Sequence, residues 1–349
     1  MVRFAIQPPT AARACRVLIG RGERFAIDDL VYKTGPYDSI HVVFDEKLAR
    51  HAEELRARLA DADLISQPGG ETQKTLAVVE QLALRLIAAR ASRQSLLIVL
   101  GGGSLCDLGA FVAATILRGI ECVLVPSTLL AMIDAAIGGK NGVDLAGQKN
   151  AIGTIRQPTA VVVDPELLAG LPEDRFREGL VEAIKIAAIR DAKLFAELEQ
   201  KLDAILQRDT SAVDRLIERA IRLKGEVVTA DERDSGQRLL LNFGHTVGHA
   251  IESWSGFQVS HGAAVARGMA IELRLARASC AARIEALLAR LEITATAIPN
   301  DLPATALWDA MLKDKKRAAG RVRIAAPDEI GCGRVIDITR ADLERALAP

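Results

Sequence analysis

The chain lacks an excess of charge of either sign: 45 Lys and Arg stand against 45 Asp and Glu in 349 residues. No overall basic field draws it to nucleic acid or to an anionic membrane, so any charge that binds phosphate has to be local. Paired cysteines are lacking as well. The five that occur, Cys15, Cys106, Cys122, Cys280 and Cys332, are odd in number, scattered and without CxxC spacing. That argues against a disulfide framework or a thiolate metal site and fits a reducing compartment. No apolar run approaches the ~20 residues that span a bilayer, and the N-terminus MVRFAIQPPTAARACRV has no long apolar core of a secretory signal. Internal repeats and low-complexity tracts are also missing. These absences predict a cytoplasmic globular protein with neither a nucleic-acid nor a membrane partner.

What the chain does have is apolar content, 50% of its residues, and length enough for two domains. The first half alternates β-branched runs with amphipathic stretches. SIHVVF near 39–44 precedes the helix-like EKLARHAEELRARLADA and ETQKTLAVVEQLALRLIAARA, and SLLIVL follows at 95–100. CVLVP at 122–126 and AVVVD at 160–164 are further strand candidates. Such alternation predicts a parallel sheet flanked by helices. After Leu171-Pro172 the pattern changes to Ala-, Leu-, Glu- and Arg-rich helical periodicity as far as about residue 290. The predicted division is an α/β domain over residues 1–170 and a mainly α-helical domain over 171–349.

Four clusters carry chemistry. Three of the five histidines, His245, His249 and His261, fall within LNFGHTVGHAIESWSGFQVSHG. His245 and His249 are four apart and project from one helical face, which makes them the first choice of metal ligands on spacing alone; His261 opens a second helical run. Gly101, Gly102 and Gly103 follow the buried strand and precede a helix beginning near Asp107, so backbone amides there can approach a pyrophosphate. This is not the spaced GxGxxG fingerprint, and a tight turn explains it equally well, although the position at a strand's carboxyl end favours a nucleotide. Upstream, PGGETQK offers Glu71 and Lys74 for ribose or phosphate, although charges at a helix start are usually solvated caps. The glycine-rich loop DAAIGGKNGVDLAGQKN, 134–150, sets Lys140 and Lys149 where two ammonium groups and amide donors can hold a phosphate. Finally, Glu182 and Lys185 lie one turn apart in the apolar helix EGLVEAIKIAAIRD. They form either an intrahelical ion pair or a metal-ligating carboxylate beside a substrate-binding lysine.

Taken in series, GGGSLCD, VPSTLLAMIDAAIGGKNGVDLAGQKN, LPEDRFREGLVEAIK, DERDSGQRLLLNFGHTVGHAIE and SHG resemble the 3-dehydroquinate synthase family of sugar phosphate cyclases, in order and spacing over nearly the whole chain. The resemblance implies an N-terminal Rossmann-like NAD-binding domain joined to a helical domain that binds metal and substrate. It implies Glu182, His245 and His261 as ligands of a divalent metal, zinc or cobalt, and turns His249 towards substrate. Asp134, Lys185 and Asn242 would hold sugar hydroxyls, and Lys140, Asn150 and Lys316 the phosphate. Arg118 of the LRG motif would reach in from the second subunit of a homodimer. Asp45, Glu71, Lys74, Gly101, Gly102, Gly103, Asp107, Ser127, Thr128 and Lys149 would line the NAD site. The implied reaction takes 3-deoxy-D-arabino-heptulosonate 7-phosphate to 3-dehydroquinate and phosphate by transient oxidation, elimination, reduction and aldol closure.

Lys224 in RLKGEVV and Arg238 in GQRLLLNFGH stand at positions resembling the family's carboxylate-binding pair, and a guanidinium suits bidentate pairing with an acid substrate. The chain also departs from the common pattern. Ser104 to Cys106 replace an apolar pair and glycine, Ala135 and Ala136 replace serines, Asn141 replaces threonine, Gln148 a glycine and Gly170 a threonine. These changes leave open a specialised paralogue acting on an amino-dehydroquinate precursor or a carboxylate-free sugar phosphate. Iron-dependent alcohol and glycerol dehydrogenases share the architecture and the GGGSxxD turn, but have no need of Lys140, Lys149, Asn150 and Arg238. An inactive homologue kept for interaction is a third alternative.

Overall fold

The computed structural model describes residues 1–9, 11, 14–59, 61–234, 236–293, 303–314 and 321–348. Two compact units result: Met1–Pro172 with Lys224–Glu232, and Glu173–Leu223 with Arg233–Pro349. Where the sequence suggested a single cut at 170/171, the chain divides at 172/173 and returns one segment, 224–232, to the first unit. Lys224–Glu232 goes with the first unit because the Lys224 ammonium bonds Asp134, while Gly225 sits where a Cβ would lie 3.1 Å from Ile6 Cδ1.

In the first unit the chain runs through β1 (Val2–Ile6), β2 (Cys15–Ile19), α1 (Ile27–Thr34), β3 (Ile40–Asp45), α2 (Ala49–Arg56), β4 (Asp63–Gln67), α3 (Leu76–Ala88), β5 (Leu96–Gly101) and α4 (Gly103–Thr115). It continues as β6 (Glu121–Pro126), β7 (Lys140–Leu145), β8 (Gln148–Ile155) and β9 (Ala160–Val163). Among the described residues a seven-stranded sheet has the order β1-β2-β9-β6-β5-β3-β4, parallel except for the β1–β2 pair. Every residue of β5 and β9 is buried, which is why LLIVLG and AVVV read as unbroken apolar runs rather than alternating ones. From β3 the chain steps outward to β4, then returns to the other side of β3 as β5 and moves on to β6. The order reverses between β3 and β5, and such a reversal leaves a crevice outside the carboxyl ends of those two strands.

Several elements differ from the expectation. α4 starts at Gly103, four residues ahead of Asp107, because Gly102 is extended and its carbonyl already accepts from the Cys106 amide at 2.9 Å. α3 starts at Leu76 behind the Thr75 cap, and Glu71 lies in a separate short turn. The lysine-rich segment is a hairpin rather than a loop: β7 and β8 meet through Ala146 and Gly147, both at positive φ (50° and 78°), the conformation a two-residue hairpin turn demands. Its glycines and polar residues concealed the strands. β1, β2 and β4 were also missed, because exposed polar residues such as Arg3, Arg16, Asp63 and Ser66 break their apolar runs; β1 and β4 are the two edges of the sheet.

The second unit contains α5 (Glu173–Arg190), α6 (Ala192–Leu206), α7 (Thr210–Ala230, shared with the first unit), α8 (His245–Trp254), α9 (His261–Ala276), α10 (Ala281–Ala289) and α11 (Ala304–Asp314). An unpredicted hairpin, β10 (Val322–Glu329) with β11 (Cys332–Ile338), and α12 (Arg340–Leu347) complete it. From Glu178 to Ile189 every residue of α5 is buried, so this helix is enclosed on all sides and its polar residues face protein. α8 and α9 approach closely: a Cβ on Gly268 would lie 2.0 Å from the Gly244 carbonyl oxygen, a contact only glycine permits. Val247, Ile251, Leu307, Trp308, Met311 and Ile324 pack beside that crossing. All five cysteines are free, four of them buried, and burial pushes the Cys15 and Cys122 thiols up to about 12. Among the described residues no helix is long and apolar enough to cross a membrane.

Candidate active site

At the reversal point of the sheet, Asp45 ends β3 and Gly101 ends β5. A Cβ on Gly102 would lie 3.2 Å from Thr128 Cγ2, and one on Gly103 3.1 Å from the Ala135 Cβ, so this turn brings bare backbone against its neighbours. The Ser127 amide donates to the Gly101 carbonyl at 2.9 Å, and Thr128 Oγ1 accepts from the Ala131 amide at 3.1 Å. On the other side the chain at Gly69 crosses Asp45, whose Oδ2 lies 2.0 Å from where a Gly69 Cβ would be, while Oδ1 accepts from the Lys47 amide.

Lys74 organises the polar groups nearby. It is only 2% exposed, and its Nζ donates to Asp107 Oδ2 at 2.9 Å and to Asn150 Oδ1 at 2.6 Å. Glu71 Oε1 stands 3.6 Å from Lys74 Nζ and 3.5 Å from Lys149 Nζ, and Ser104 Oγ donates to the other Glu71 oxygen at 2.7 Å. The reading of Lys74 as a solvated cap is thereby corrected: it is a buried lysine bridging α4 and the β7–β8 hairpin. Burial opposes its charge, but the Asp107 and Glu71 carboxylates outweigh burial and hold its pKa above the ordinary value. Burial also raises the Asp107 carboxyl, and Lys74 only partly offsets that. The β7–β8 pairing is irregular between Val143 and Leu145, which loops out Lys149 and Asn150; Asn150 has φ 51°, and its amide donates to Asp144 Oδ1 at 2.8 Å. Lys140 opens β7 at an exposed position. Lys224, expected to meet a substrate carboxylate, bonds both the side-chain and the backbone oxygen of Asp134. Arg118 is exposed and left-handed, φ 70°.

The second unit gathers the other set. His245 and His261 are the first residues of α8 and α9, and Glu182 lies midway along α5. The Nε2 atoms of both histidines stand 3.6 Å from Glu182 Oε1, and one donor atom from each of the three side chains falls within 4.8 Å of the others. Glu182 is 2% exposed and pairs with the Lys185 ammonium, yet neither of its oxygens accepts a hydrogen bond of good geometry. A buried carboxylate facing two imidazoles without such bonds has the donor chemistry of a three-ligand divalent metal site, so these residues fit the implied metal. Burial, then the nearby Lys185 ammonium, pushes His245 down to about 3 and keeps it neutral. At His261 burial works the same way, but the neighbouring Glu182 and Glu252 carboxylates prevail and push it up to about 10. The His249 ring lies 5.4 Å from that of His245 and 6.2 Å from that of His261. With Glu252 and His261 it forms a second possible donor set.

Two carboxylates escaped the sequence reading. Glu272 on α9 is fully buried and accepts from the Gly244 and Val247 amides at 2.7 and 3.0 Å, closing the start of α8 that no side chain of α8 itself caps. Glu252 accepts from His261 Nδ1 at 3.2 Å. Glu252 follows His249 by three residues, a same-face spacing that was available; for Glu272 no local signal exists. Arg238 is 3% exposed and Asn242 partly exposed in the short turn before α8. Lys316 lies outside the described residues.

Residues 64–178 match the family model for the 3-dehydroquinate synthase N-terminal domain, and residues 179–317 the one for its C-terminal domain. The chain belongs to the 3-dehydroquinate synthase family. Among curated relatives, a 3-dehydroquinate synthase of Solibacter usitatus (strain Ellin6076) is 41% identical over 307 residues, covering 86% of this chain and 85% of its own. One from Nostoc punctiforme is 42% identical over 287 residues, 80% of this chain and 79% of that one. Among solved structures, the 2-epi-5-epi-valiolone synthase of Streptomyces hygroscopicus subsp. jinggangensis 5008, with NAD+ and Zn2+ bound, superposes with a TM-score of 0.85 at 26% identity, over 98% of both chains. Membership places the chain among the enzymes of the sugar phosphate cyclases and favours that reading over the dehydrogenase alternative.

Proposed function

We propose that this enzyme is a phosphate-eliminating lyase that converts 3-deoxy-D-arabino-heptulosonate 7-phosphate to 3-dehydroquinate and phosphate. The observation that carries the reading is 41% identity to a curated 3-dehydroquinate synthase across 86% of the chain. When bound, NAD takes and returns a hydride at one secondary alcohol and a divalent metal polarises the oxygen of that carbon. Glu182, His245 and His261 hold the metal. Asp45, the Gly101–Gly103 turn, Glu71, Lys74, Asp107, Ser127 and Thr128 hold NAD, in keeping with their position at the reversal of the sheet.

Lys140, Lys149 and Asn150 bind the phosphate, and the looped-out backbone at Lys149 and Asn150 supports their turning outward from the hairpin. Lys185, Asn242, His249 and Asp134 orient the hydroxyls. Arg238, with Lys224, receives the carboxylate as a planar bidentate partner and so separates this substrate from carboxylate-free sugar phosphates. Positioning dominates the catalysis, because elimination and aldol closure are intramolecular once the ring atoms are held. A homodimer with Arg118 near the neighbouring active site completes the reading. Phosphate release from the acid substrate, set beside glucose 6-phosphate and sedoheptulose 7-phosphate, tests it. The acid should react with catalytic NAD. No turnover of it, or steady accumulation of NADH with a simple alcohol, would overturn the assignment.

A further inference from the structure

His261 stands between two carboxylates, and an imidazole has only two nitrogens with which to answer them. Glu252 Oε1 lies 3.2 Å from Nδ1, at hydrogen-bonding distance, and Glu182 Oε1 lies 3.6 Å from Nε2. A neutral imidazole carries one N–H and one lone pair, so only one of these nitrogens can face a cation. His245 shows how the neighbouring ring is arranged: its Nδ1 lies 3.2 Å from the Phe243 carbonyl oxygen, which can only accept, so Nδ1 carries the proton and Nε2 is bare towards Glu182.

We propose that Glu252 is a positioning residue for the metal centre: it holds the proton of His261 on Nδ1 and thereby presents Nε2, together with His245 Nε2, to the ion beside Glu182. The proposal rests on the metal reading given above and assigns a role within that site to a residue outside the ligand set. Glu252 is 2% exposed and sits two turns beyond His245 on the same helix, α8. One helix thus supplies a ligand at its first residue and the orienting carboxylate for the ligand that opens α9. The glycine contact between Gly244 and Gly268 keeps the two helices close enough for that bond. A carboxylate also makes the imidazole a stronger donor than a carbonyl would, so the two histidines differ in basicity by construction. The competing arrangement places the ion on His261 Nδ1 with Glu252 and His249 as co-ligands, a set that is also compact. It would leave Glu182 buried and charged against Lys185 with no part in the site.

The experiment uses full-length protein stripped of metal and titrated with Zn2+ against a chromophoric chelator, as wild type, Glu252→Gln and Glu252→Ala. Glutamine keeps the shape and one accepting oxygen. Zinc affinity should fall about tenfold in Glu252→Gln and about a hundredfold in Glu252→Ala, while the melting temperature of metal-free Glu252→Gln stays at the wild-type value. Long-range proton–nitrogen spectra of the zinc-loaded wild type with 15N-labelled histidine should show His261 protonated at Nδ1 and metal-bound at Nε2. Metal on Nδ1, wild-type zinc affinity in Glu252→Gln, or an affinity loss matched by a loss of metal-free stability overturns the proposal while leaving a metal enzyme. Failure of the wild type to bind zinc overturns the metal reading and this proposal together.

Discussion

The polar groups around Lys74 in the first unit and the carboxylates at helix starts in the second are secured in different ways. In the first, side chains hold side chains: Lys74 reaches Asp107 and Asn150, Lys149 approaches Glu71, and Ser104 closes on Glu71. These residues come from a short turn, the start of α4 and a hairpin, and on the proposed function their ion pairs would be exchanged for a nucleotide's phosphates and hydroxyls. In the second, carboxylates are tied to backbone amides at helix starts. Glu272 takes the amides of Gly244 and Val247, and Asp191 those of Lys193 and Leu194. Such bonds fix the starts of α8 and α6, and with α8 its first residue, His245. On the proposed function, the first set would trade its partners for a ligand's, and the second would keep ligand atoms where they are.

The sharpest test of that contrast removes a helix-borne donor. His261→Ala should abolish tight zinc binding and lower kcat/KM about a thousandfold or more, whereas His249→Ala should keep wild-type metal content and lose activity only. Metal analysis of the purified variants beside steady-state kinetics reads both. Metal lost from His249→Ala and kept by His261→Ala would reverse the roles of the cluster.

Breaking the ion-pair end should act on stability as well. Lys74→Met leaves the Asp107 carboxylate without the ammonium that offsets its burial, and a broken buried pair costs about 3 kcal/mol. Asp107 retains a fifth of its side-chain exposure, which sets the loss at the lower end of such cases. Urea unfolding of the ligand-free protein should show that loss, and added NAD should recover less of it than in wild type. A variant as stable as wild type would mean that the buried Lys74–Asp107 pair contributes no net stability.

The two ends were also unequally legible in the sequence. The parallel sheet and the helical half followed from apolar runs and periodicity, since buried strands such as β5 and β9 have no polar residue to blur them. The hairpin β7–β8 did not, because its role demands glycines and lysines, the composition of a loop. Glu182, His245 and His261 were assigned through motif resemblance; spacing alone favoured His245 with His249, since a residue 63 positions upstream leaves no local period. Glu272 was illegible for the same reason. It caps a helix from another helix, whereas cap signals are read from the residues just before a helix.

That hidden cap offers the next test. Glu272→Gln presents an amide N–H₂ where an acceptor is needed, leaving one of the Gly244 and Val247 amides unpaired in a buried setting, at a cost of about 2 kcal/mol. The helical unit should lose that stability by thermal unfolding, and zinc affinity should fall with it because His245 is the first residue of α8. Loss of stability with unchanged zinc affinity would show that the cap stabilises the helix without positioning its histidine.

The smallest effect is expected at Asp191, which caps α6 just after the helix that carries Glu182. Burial works against its charge, but the Leu194 amide and the Arg219 guanidinium prevail and hold its carboxyl below the usual carboxylate range. A depressed carboxyl contributes stability that is complete above its unfolded value near pH 4 and is lost as the pH falls through the folded value. Asp191→Asn retains a capping oxygen for the Lys193 and Leu194 amides but loses the charge and turns an amide N–H₂ towards Arg219, so it should be less stable than wild type by about 1 kcal/mol at pH 7, the gap closing as the pH drops below about 4. Denaturant midpoints across that range check the sign. A gap that widens on acidification would show that the charge at this helix start opposes the fold, and that amide-bound carboxylates are not what holds the second unit in place.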